Sequence, residues 1–273
     1  MILDRDTAVF MYHGLDPGDG RYADLDAGAR SYVLSAEHFF AHLQAFARSD
    51  RPLVLPRRWT GRTDSTDAGL REGIAPHVVL TFDDGMASDY EVAFPALVET
   101  RWEALFFITT DWVGKEGYLD WSQIQEMHAA GMAFGSHGRS HAFLSDLDVE
   151  GIREELADSR KELEDRLQAP VRTLSLPGGR HDRRVLQCAA DANYEALFTS
   201  SPDLPTSDMG LEIYGRIALR DNWDEARMVH FLVNQKELLP RMRRAYLAKK
   251  TLQKMLGNRL YARLHHLFWK RKS

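Results

Sequence analysis

Two pairs of side chains in this sequence have the types and spacing needed to bind a cation and to activate water. Asp83 and Asp84 are adjacent, and His137 and His141 are four residues apart. One carboxylate and two neutral imidazoles leave a fourth coordination position open for water, which is the arrangement of a catalytic zinc site. The second carboxylate then faces that water as a candidate base. These four residues form a candidate metal-hydrolase site.

Each cluster also has an ordinary structural interpretation when it is taken alone. Asp-Asp-Gly favours a turn, and histidines four residues apart are often surface or capping residues. On a helical turn, side chains at i and i+4 lie about 5–6 Å apart, so that His137 and His141 reach one ion. Gly178, in Pro177-Gly178-Gly179, either completes a tight turn or lets a backbone N–H approach a ligand as an oxyanion donor.

The elements around these clusters alternate between short apolar strands and amphipathic helices, which predicts βαβ units, a mostly parallel sheet and an α/β barrel. Strands are predicted at 9–12, 78–82, 104–109, 132–135, 173–176 and 196–199. Helices are predicted from 35 and over 88–101, 122–131, 149–168 and 185–193, the third with a capping box of Ser122 and Gln125. The candidate residues all follow predicted strands, so the barrel brings them to one face.

Composition narrows the class of protein. The 273 residues are 44% hydrophobic and 27% charged, which excludes disordered and low-complexity chains. Cys188 is the only cysteine, which excludes an internal disulfide and a cysteine-built zinc cluster. The apolar runs are shorter than the ~20 residues of a membrane span, and the acidic start lacks the pattern of a secretory leader. We expect a soluble, cytoplasmic chain.

Charge is distributed unevenly along the chain. Residues 241–273 contain 11 Lys and Arg and no acidic residue, whereas residues 1–240 have a formal charge of −16. We therefore predict a catalytic domain over 1–240 and a basic amphipathic helical tail over 241–273. The tail suits either an anionic membrane surface, which would make the chain peripheral on the inner face, or docking on the acidic domain. Nucleic acid is not expected, since no nucleic-acid-binding motif accompanies the charge.

Two motifs together identify a family that this chain resembles. Thr81-Phe-Asp-Asp-Gly85 followed by Ser136-His-Gly-Arg-Ser-His141 is similar to the first two motifs of the polysaccharide deacetylases (NodB homology, carbohydrate esterase family 4). Pro177-Gly178-Gly179 resembles a reduced third motif, and Tyr12-His13 resembles the N-terminal pair of an exopolysaccharide-deacetylase subgroup. The likeness covers about residues 8–220.

The resemblance implies a distorted (β/α)7 barrel that hydrolyses an amide or ester with the help of a metal. It implies Asp83 as the catalytic base. It implies Asp84, His137 and His141 as metal ligands, with Zn²⁺ as the first candidate and Co²⁺, Ni²⁺ or Fe²⁺ as others. It also implies that the Gly178 N–H helps to hold the oxyanion.

Two positions depart from the family pattern. Ser175 stands where members often have an arginine that sets the base, so the sequence identifies no partner for Asp83. The late Leu-x-His motif that supplies the general acid is not evident after residue 200. In the exopolysaccharide subgroup the histidine of the N-terminal pair takes that place. His13 is therefore either the general acid or a structural histidine bonded to a loop carbonyl.

The predicted function is removal of N-acetyl groups from amino sugars of a polysaccharide, oligosaccharide or lipid-linked glycan. Two alternatives stay open. One is a deformylase or deacylase of a lipid-linked amino sugar, which would use the same metal chemistry. The other is a non-catalytic saccharide-binding barrel. Trp112, Tyr118, Trp121 and Trp223 are candidate platforms for a sugar ring or, alternatively, packing residues.

Overall fold

The structure is a computed structural model that describes residue 3 and residues 7–51, 53–60 and 77–269. The strands are β1 (Ala8–Tyr12), β2 (Leu15–Asp16), β3 (Leu34–Ser35), β4 (Val78–Phe82), β5 (Leu105–Ile108), β6 (Ala133–Ser136), β7 (Thr173–Ser175), β8 (Ala196–Phe198), β9 (Thr206–Asp208), β10 (Leu211–Tyr214) and β11 (Ile217–Ala218). The α-helices are α1 (Ala27–Arg30), α2 (Ala36–Arg48), α3 (Phe94–Thr100), α4 (Trp121–Ala129), α5 (Val149–Leu167), α6 (Arg183–Asp191) and α7 (Glu225–Trp269).

Nine of the strands form one sheet, in the order β11-β1-β4-β5-β6-β7-β8-β10-β9. Neighbouring strands are parallel except for β9, which runs antiparallel to β10. Among the described residues no ladder joins β11 to β9, so the barrel is left open there. The predicted α/β barrel is confirmed in this distorted form. Because the strands are parallel, the candidate residues that follow them lie at one edge of the sheet.

The two faces of the sheet bury different sets of side chains. Alternate residues such as Phe10, Leu80 and Phe106 pack under the helices in the larger core. The intervening residues pack into a second core inside the barrel, where Trp59 meets Phe198 edge-on at 5.0 Å. Because both faces are covered, β1 and β4 consist of buried residues throughout, as is typical of parallel sheets.

The helices confirm most of the predicted boundaries. Ser35 caps α2, and α5 buries the predicted stripe of Ile152, Leu156, Leu163 and Leu167. The predicted capping box of α4 is wrong by two residues, since the cap is Asp120, which pairs with Gln123. Asp120 accepts from the Gln123 N–H while the Gln123 side chain accepts from the Asp120 N–H.

Residues 49–76, predicted to be irregular, are described only in part. A single 3-10 turn at Arg57–Trp59 forms within the segment that is described, and residues 52 and 61–76 lie outside the described residues. The proposed domain boundary at residue 240 falls inside α7, at Pro240. No helix in the described part of the chain has the length and apolar character needed to cross a bilayer.

A buried histidine joins β1, α2 and the segment before α7. The His42 Nε2–H donates to the Trp223 carbonyl at 2.7 Å, and His42 Nδ1 accepts from the Tyr12 hydroxyl at 3.1 Å. This pattern requires neutral imidazole. Burial lowers the pKa of His42 to about 4, against 6.5 for an ordinary histidine.

The free energy of unfolding should therefore fall as the pH falls from 6.5 to 4, because the unfolded chain binds the proton first. The expected loss is about 3 kcal/mol at most, at about 1.4 kcal/mol per pKa unit. Denaturant titrations between pH 7 and pH 4 test this. The His42→Gln variant should have a lower free energy of unfolding than the parent chain at pH 7, but this free energy should fall less between pH 7 and pH 4. For the control His230→Gln, at an exposed position, the free energy of unfolding should change with pH as it does in the parent chain. Equal slopes for all three chains would contradict the assignment.

Candidate active site

The chain turns sharply after β4, and this turn separates the two aspartates. Asp83 still pairs with β1, since its N–H donates to the Tyr12 carbonyl at 3.0 Å. Asp84 and Gly85 then adopt φ values of 79° and 73°. Aspartate is one of the few non-glycine residues that enter this left-handed region readily. The two carboxylates diverge because of this turn, although the residues are adjacent in the chain.

The Asp84 carboxylate lies between the two histidines. Its Oδ1 is 3.4 Å from the Nε2 atom of both His137 and His141. The ligand atoms of the three residues lie within 4.8 Å of one another. Asp84 Oδ1 is buried without a hydrogen-bond partner among the described residues. Buried polar atoms are rarely left unpaired, so this donor set fits a divalent cation.

His137 is held in the tautomer that a metal ligand requires. Its Nδ1 lies 2.8 Å from the Ser175 carbonyl, which can only accept, so Nδ1 carries the proton and Nε2 keeps its lone pair. Burial alone would lower the pKa of His137, but the Asp83 and Asp84 charges raise it above the ordinary value. Burial and the neighbouring His137 lower the pKa of His141.

The two histidines lie on a loop, so the helical turn considered for them is wrong. Their ring centroids are 4.9 Å apart, and His141 adopts a φ of 66°. The loop is held by Glu155, a buried residue of α5. Glu155 Oε2 accepts from the N–H groups of Arg139 and Ser140 at 2.8 and 2.9 Å, and Oε1 accepts from the Ser140 hydroxyl at 2.5 Å.

We expect Glu155→Ala to weaken metal binding about 10- to 100-fold, as losses of groups that orient metal ligands do. The loop would lose three acceptor contacts and with them the left-handed position of His141. Competition for Zn²⁺ against a chromophoric chelator measures the change. Glu155→Gln keeps an acceptor and should recover part of the affinity, and the exposed Glu154→Ala should be neutral. If Glu155→Ala binds Zn²⁺ as tightly as the parent chain does, Glu155 does not position the loop of His137 and His141.

Asp83 forms a buried ion pair with a residue that the sequence analysis missed. Arg216 Nη1 and Nη2 donate to Asp83 Oδ1 and Oδ2, both at 2.7 Å, and both residues are almost fully buried. Ser175 Oγ lies 3.1 Å from Asp83 Oδ2 and also accepts from Arg216 at 2.8 Å. The guanidinium partner of Asp83 therefore comes from the residue just before β11 and not from position 175. The sequence did contain one signal for this partner, because Arg216 is a charged residue between the buried strands β10 and β11.

All five N–H donors of the Arg216 guanidinium are used. The remaining bonds go from Nε to the Thr199 carbonyl at 3.0 Å and from Nη1 to Thr81 Oγ1 at 3.2 Å. Burial would raise the pKa of Asp83, but the charges of Arg216 and His137 hold it well below the usual range. Asp83 is therefore an ionised carboxylate whose Oδ2 lies 3.9 Å from His137 Nε2, beside the candidate metal position.

His13 follows β1 at the edge of the same site. Its charge interacts with those of Asp83, Asp84 and His137, and burial lowers its pKa. The His13 Nδ1 atom is buried without a partner among the described residues. The His13 ring packs on Tyr32 with centroids 4.9 Å apart. The alternative of a histidine bonded through Nδ1 to a loop carbonyl therefore has no support in the described contacts.

Gly178 lies in the turn that follows β7. Its φ is 62°, and a Cβ built on it would lie 2.7 Å from Cε1 of Phe143, so glycine is required. The preceding strand carries Ser175, whose carbonyl binds His137, so the turn borders the metal-ligand loop. Phe143 is an exposed aromatic side chain at this border.

The aromatic candidates separate into two groups. The Trp112 ring stacks on His141 with centroids 4.9 Å apart, and Tyr118 packs on Trp112 at the same distance. Trp223 is buried against Phe231 in the core. Trp121 is covered by the Arg166 guanidinium at 5.1 Å. Trp112 and Tyr118 therefore border the site, whereas Trp121 and Trp223 are packing residues.

Comparison with known proteins shows what this chain is similar to in sequence and in fold. Residues 71–197 match the family profile described as polysaccharide deacetylase. The chain is 29% identical over 140 residues to YxkH of Bacillus subtilis (strain 168), whose name assigns it provisionally to that family. The match covers 51% of this chain and 50% of YxkH, so the chain aligns with half the length of this relative.

Solved structures share the fold. The deacetylase PplD of Streptococcus pyogenes, solved in complex with acetate, superposes with a TM-score of 0.69 at 24% identity, over 83% of this chain and 97% of that one. IcaB from Ammonifex degensii superposes with a TM-score of 0.65 at 22% identity, over 83% and 96%. At these identities the likeness establishes the fold. Residues 71–197 therefore match the polysaccharide deacetylase family, and the chain has the fold of these solved deacetylases.

Proposed function

We propose that this chain is a metal-dependent hydrolase that removes N-acetyl groups from the amino sugars of a saccharide. The observation that carries the proposal is the arrangement of four residues. Asp84, His137 and His141 converge on one position, while Asp83 is turned away toward Arg216 and kept ionised beside them. This arrangement provides a cation site and a separate base, the two parts that metal-assisted hydrolysis requires.

Asp84, His137 and His141 would hold the cation, which when bound lowers the pKa of water to about 7 and polarises the acyl oxygen. The chain's own groups perform the remaining steps. Asp83 accepts the proton of the attacking water. The Gly178 N–H donates to the developing oxyanion, a kind of contact whose removal typically costs about 3–4 kcal/mol in activation free energy. His13 gives a proton to the departing nitrogen, because an amide anion is a very poor leaving group.

The proposal is tested by following free amine and acetate released from N-acetylglucosamine oligosaccharides. We expect release that stops with a chelator and returns with Zn²⁺. Release of formate from an N-formylated sugar, with none from the N-acetylated one, would favour the deformylase alternative. A chain that binds metal and oligosaccharide but releases neither acid would be a saccharide-binding protein, and the proposal would be wrong.

The role of His13 predicts a dependence on the leaving group. His13→Ala should slow acetate release from the oligosaccharides by about 10²–10⁴-fold, the usual range for general acid catalysis. Hydrolysis of 4-nitrophenyl acetate should change little, because nitrophenolate departs without a proton. Initial rates with both substrates measure the two effects. Equal losses with both substrates would assign His13 a structural role instead.

A further inference from the structure

The C-terminal helix passes from the core of the domain to the rim of the candidate site. In its first turns, Met228, Phe231 and Leu232 are buried, and the Phe231 ring meets Phe10 of β1 at 5.7 Å. About three turns after Leu232, at 3.6 residues per turn, α7 contacts a different part of the domain. Arg243 Nε donates to Asp203 Oδ1 at 2.5 Å.

Two tyrosines lie between this part of α7 and the candidate site. Tyr246 is half-buried and interacts electrostatically with Asp203 and Tyr32. Tyr32 packs on His13, and its hydroxyl accepts from Arg220 at 2.6 Å. This part of α7 therefore lies on the side of the domain that carries Tyr32 and His13. A ligand or surface that binds the remainder of α7 would therefore lie next to the candidate site.

From residue 241 onward the sequence of α7 has the composition of helices that bind anionic membrane surfaces. Cationic residues recur along it and acidic residues are absent, in contrast to the net charge of −16 over residues 1–240. Leucine recurs at every fourth position from 252 to 264, and Phe268 and Trp269 follow. Leu247 is exposed where the helix leaves the domain. Cationic and apolar side chains suit phosphate headgroups and the acyl boundary, respectively.

Three cationic residues of this segment have side chains that the structure describes, and one of the three pairs with the domain. Arg243 pairs with Asp203, but Arg241 pairs at 3.9 Å with Glu237 of its own helix. Arg244 is exposed and forms no ion pair with any residue that the structure describes. The acidic domain itself would be repelled by anionic lipid, so the helix is the part that can bind it.

We propose that residues 241–269 bind an anionic phospholipid surface and hold the opening of the site, at His13 and Tyr32, next to that surface. A bilayer held there would present saccharides anchored to lipid more readily than saccharides free in solution. The inference goes beyond the proposed hydrolysis. It can be tested without a saccharide, so the two can fail separately.

The test is co-sedimentation of the full chain with vesicles of phosphatidylcholine alone or mixed with phosphatidylglycerol. We expect binding to the mixed vesicles that is about tenfold or more stronger than to the neutral ones. Raising the salt from about 0.1 to 1 M shortens the Debye length from about 10 to 3 Å and should release the chain. The variant Arg244→Gln, Lys249→Gln, Lys250→Gln, Lys254→Gln should lose most of the binding.

A matched control removes the same charge from exposed positions on the domain, with Arg101, Arg153, Lys161 and Arg183 all changed to Gln. This control should bind the mixed vesicles at least as well as the parent chain. Thermal unfolding followed by circular dichroism checks that both variants fold. Equal partition into neutral and anionic vesicles, or equal loss of binding in the two variants, would overturn the proposal.

Discussion

Replacing Asp83 by Asn should lower the rate of acetate release by about 10²–10⁴-fold or more while leaving the metal in place. The amide cannot take a proton from water. The three metal ligands are other residues, and Asp83 reaches His137 only at 3.9 Å. Rates from the amine-release assay, together with metal content per chain, measure both halves of the prediction.

The matched variant is Asp84→Asn, which changes the adjacent carboxylate. This variant should lose both metal and activity, because Asp84 Oδ1 lies between the two imidazoles. Comparing the two variants therefore distinguishes the proposed base, Asp83, from the proposed metal ligand, Asp84. Near-parent turnover in Asp83→Asn, or loss of metal from it, would contradict the assignment of Asp83.

Replacing Arg216 by Met should lower both the free energy of unfolding and the rate of acetate release. Breaking a buried pair by removing one partner typically costs about 3–5 kcal/mol, because the remaining charge is left uncompensated. The pKa of Asp83 should rise, since Arg216 now holds it down. Protonation of the base would then begin at a higher pH, so the acid limb of the pH–rate profile should move upward. Denaturant titration and the pH–rate profile measure the two effects.

Two further variants show whether Arg216 acts through Asp83. Arg216→Lys keeps the charge but loses the bidentate geometry. Relative to Arg216→Met, it should recover part of the free energy of unfolding and a smaller part of the rate of acetate release. Combining Arg216→Met with Asp83→Asn removes both charges and should be more stable than Arg216→Met alone. If the two substitutions are additive in stability, or if the acid limb of Arg216→Met stays in place, the coupling is wrong.

The sequence predicted the fold and the grouping of Asp84, His137 and His141 because both depend on local signals. Buried parallel strands are continuous apolar runs, and β4 was predicted with its observed bounds, Val78–Phe82. Ligands at strand ends follow from the topology of a parallel sheet, which is why Asp84, His137 and His141 were grouped correctly.

The contacts that position the side chains of the site could not be predicted from local sequence patterns. Arg216 and Asp83 are 133 positions apart, and their pairing depends on β11 lying beside β1, whose other neighbour is β4. Glu155 belongs to the polar pattern of an amphipathic helix, and only packing reveals that it faces the loop of His141. The left-handed φ of His141 could not be predicted, because few residues other than glycine adopt this region and the sequence does not mark which of them do.

The most direct test of the account is a titration of metal-free chain with Zn²⁺ in which bound metal and acetate release are measured in the same samples. We predict that activity rises in proportion to bound metal and levels off at one ion per chain, and that His141→Ala neither binds the ion tightly nor releases acetate. Full acetate release from metal-free chain, or activity in His141→Ala equal to that of the parent, would contradict the account.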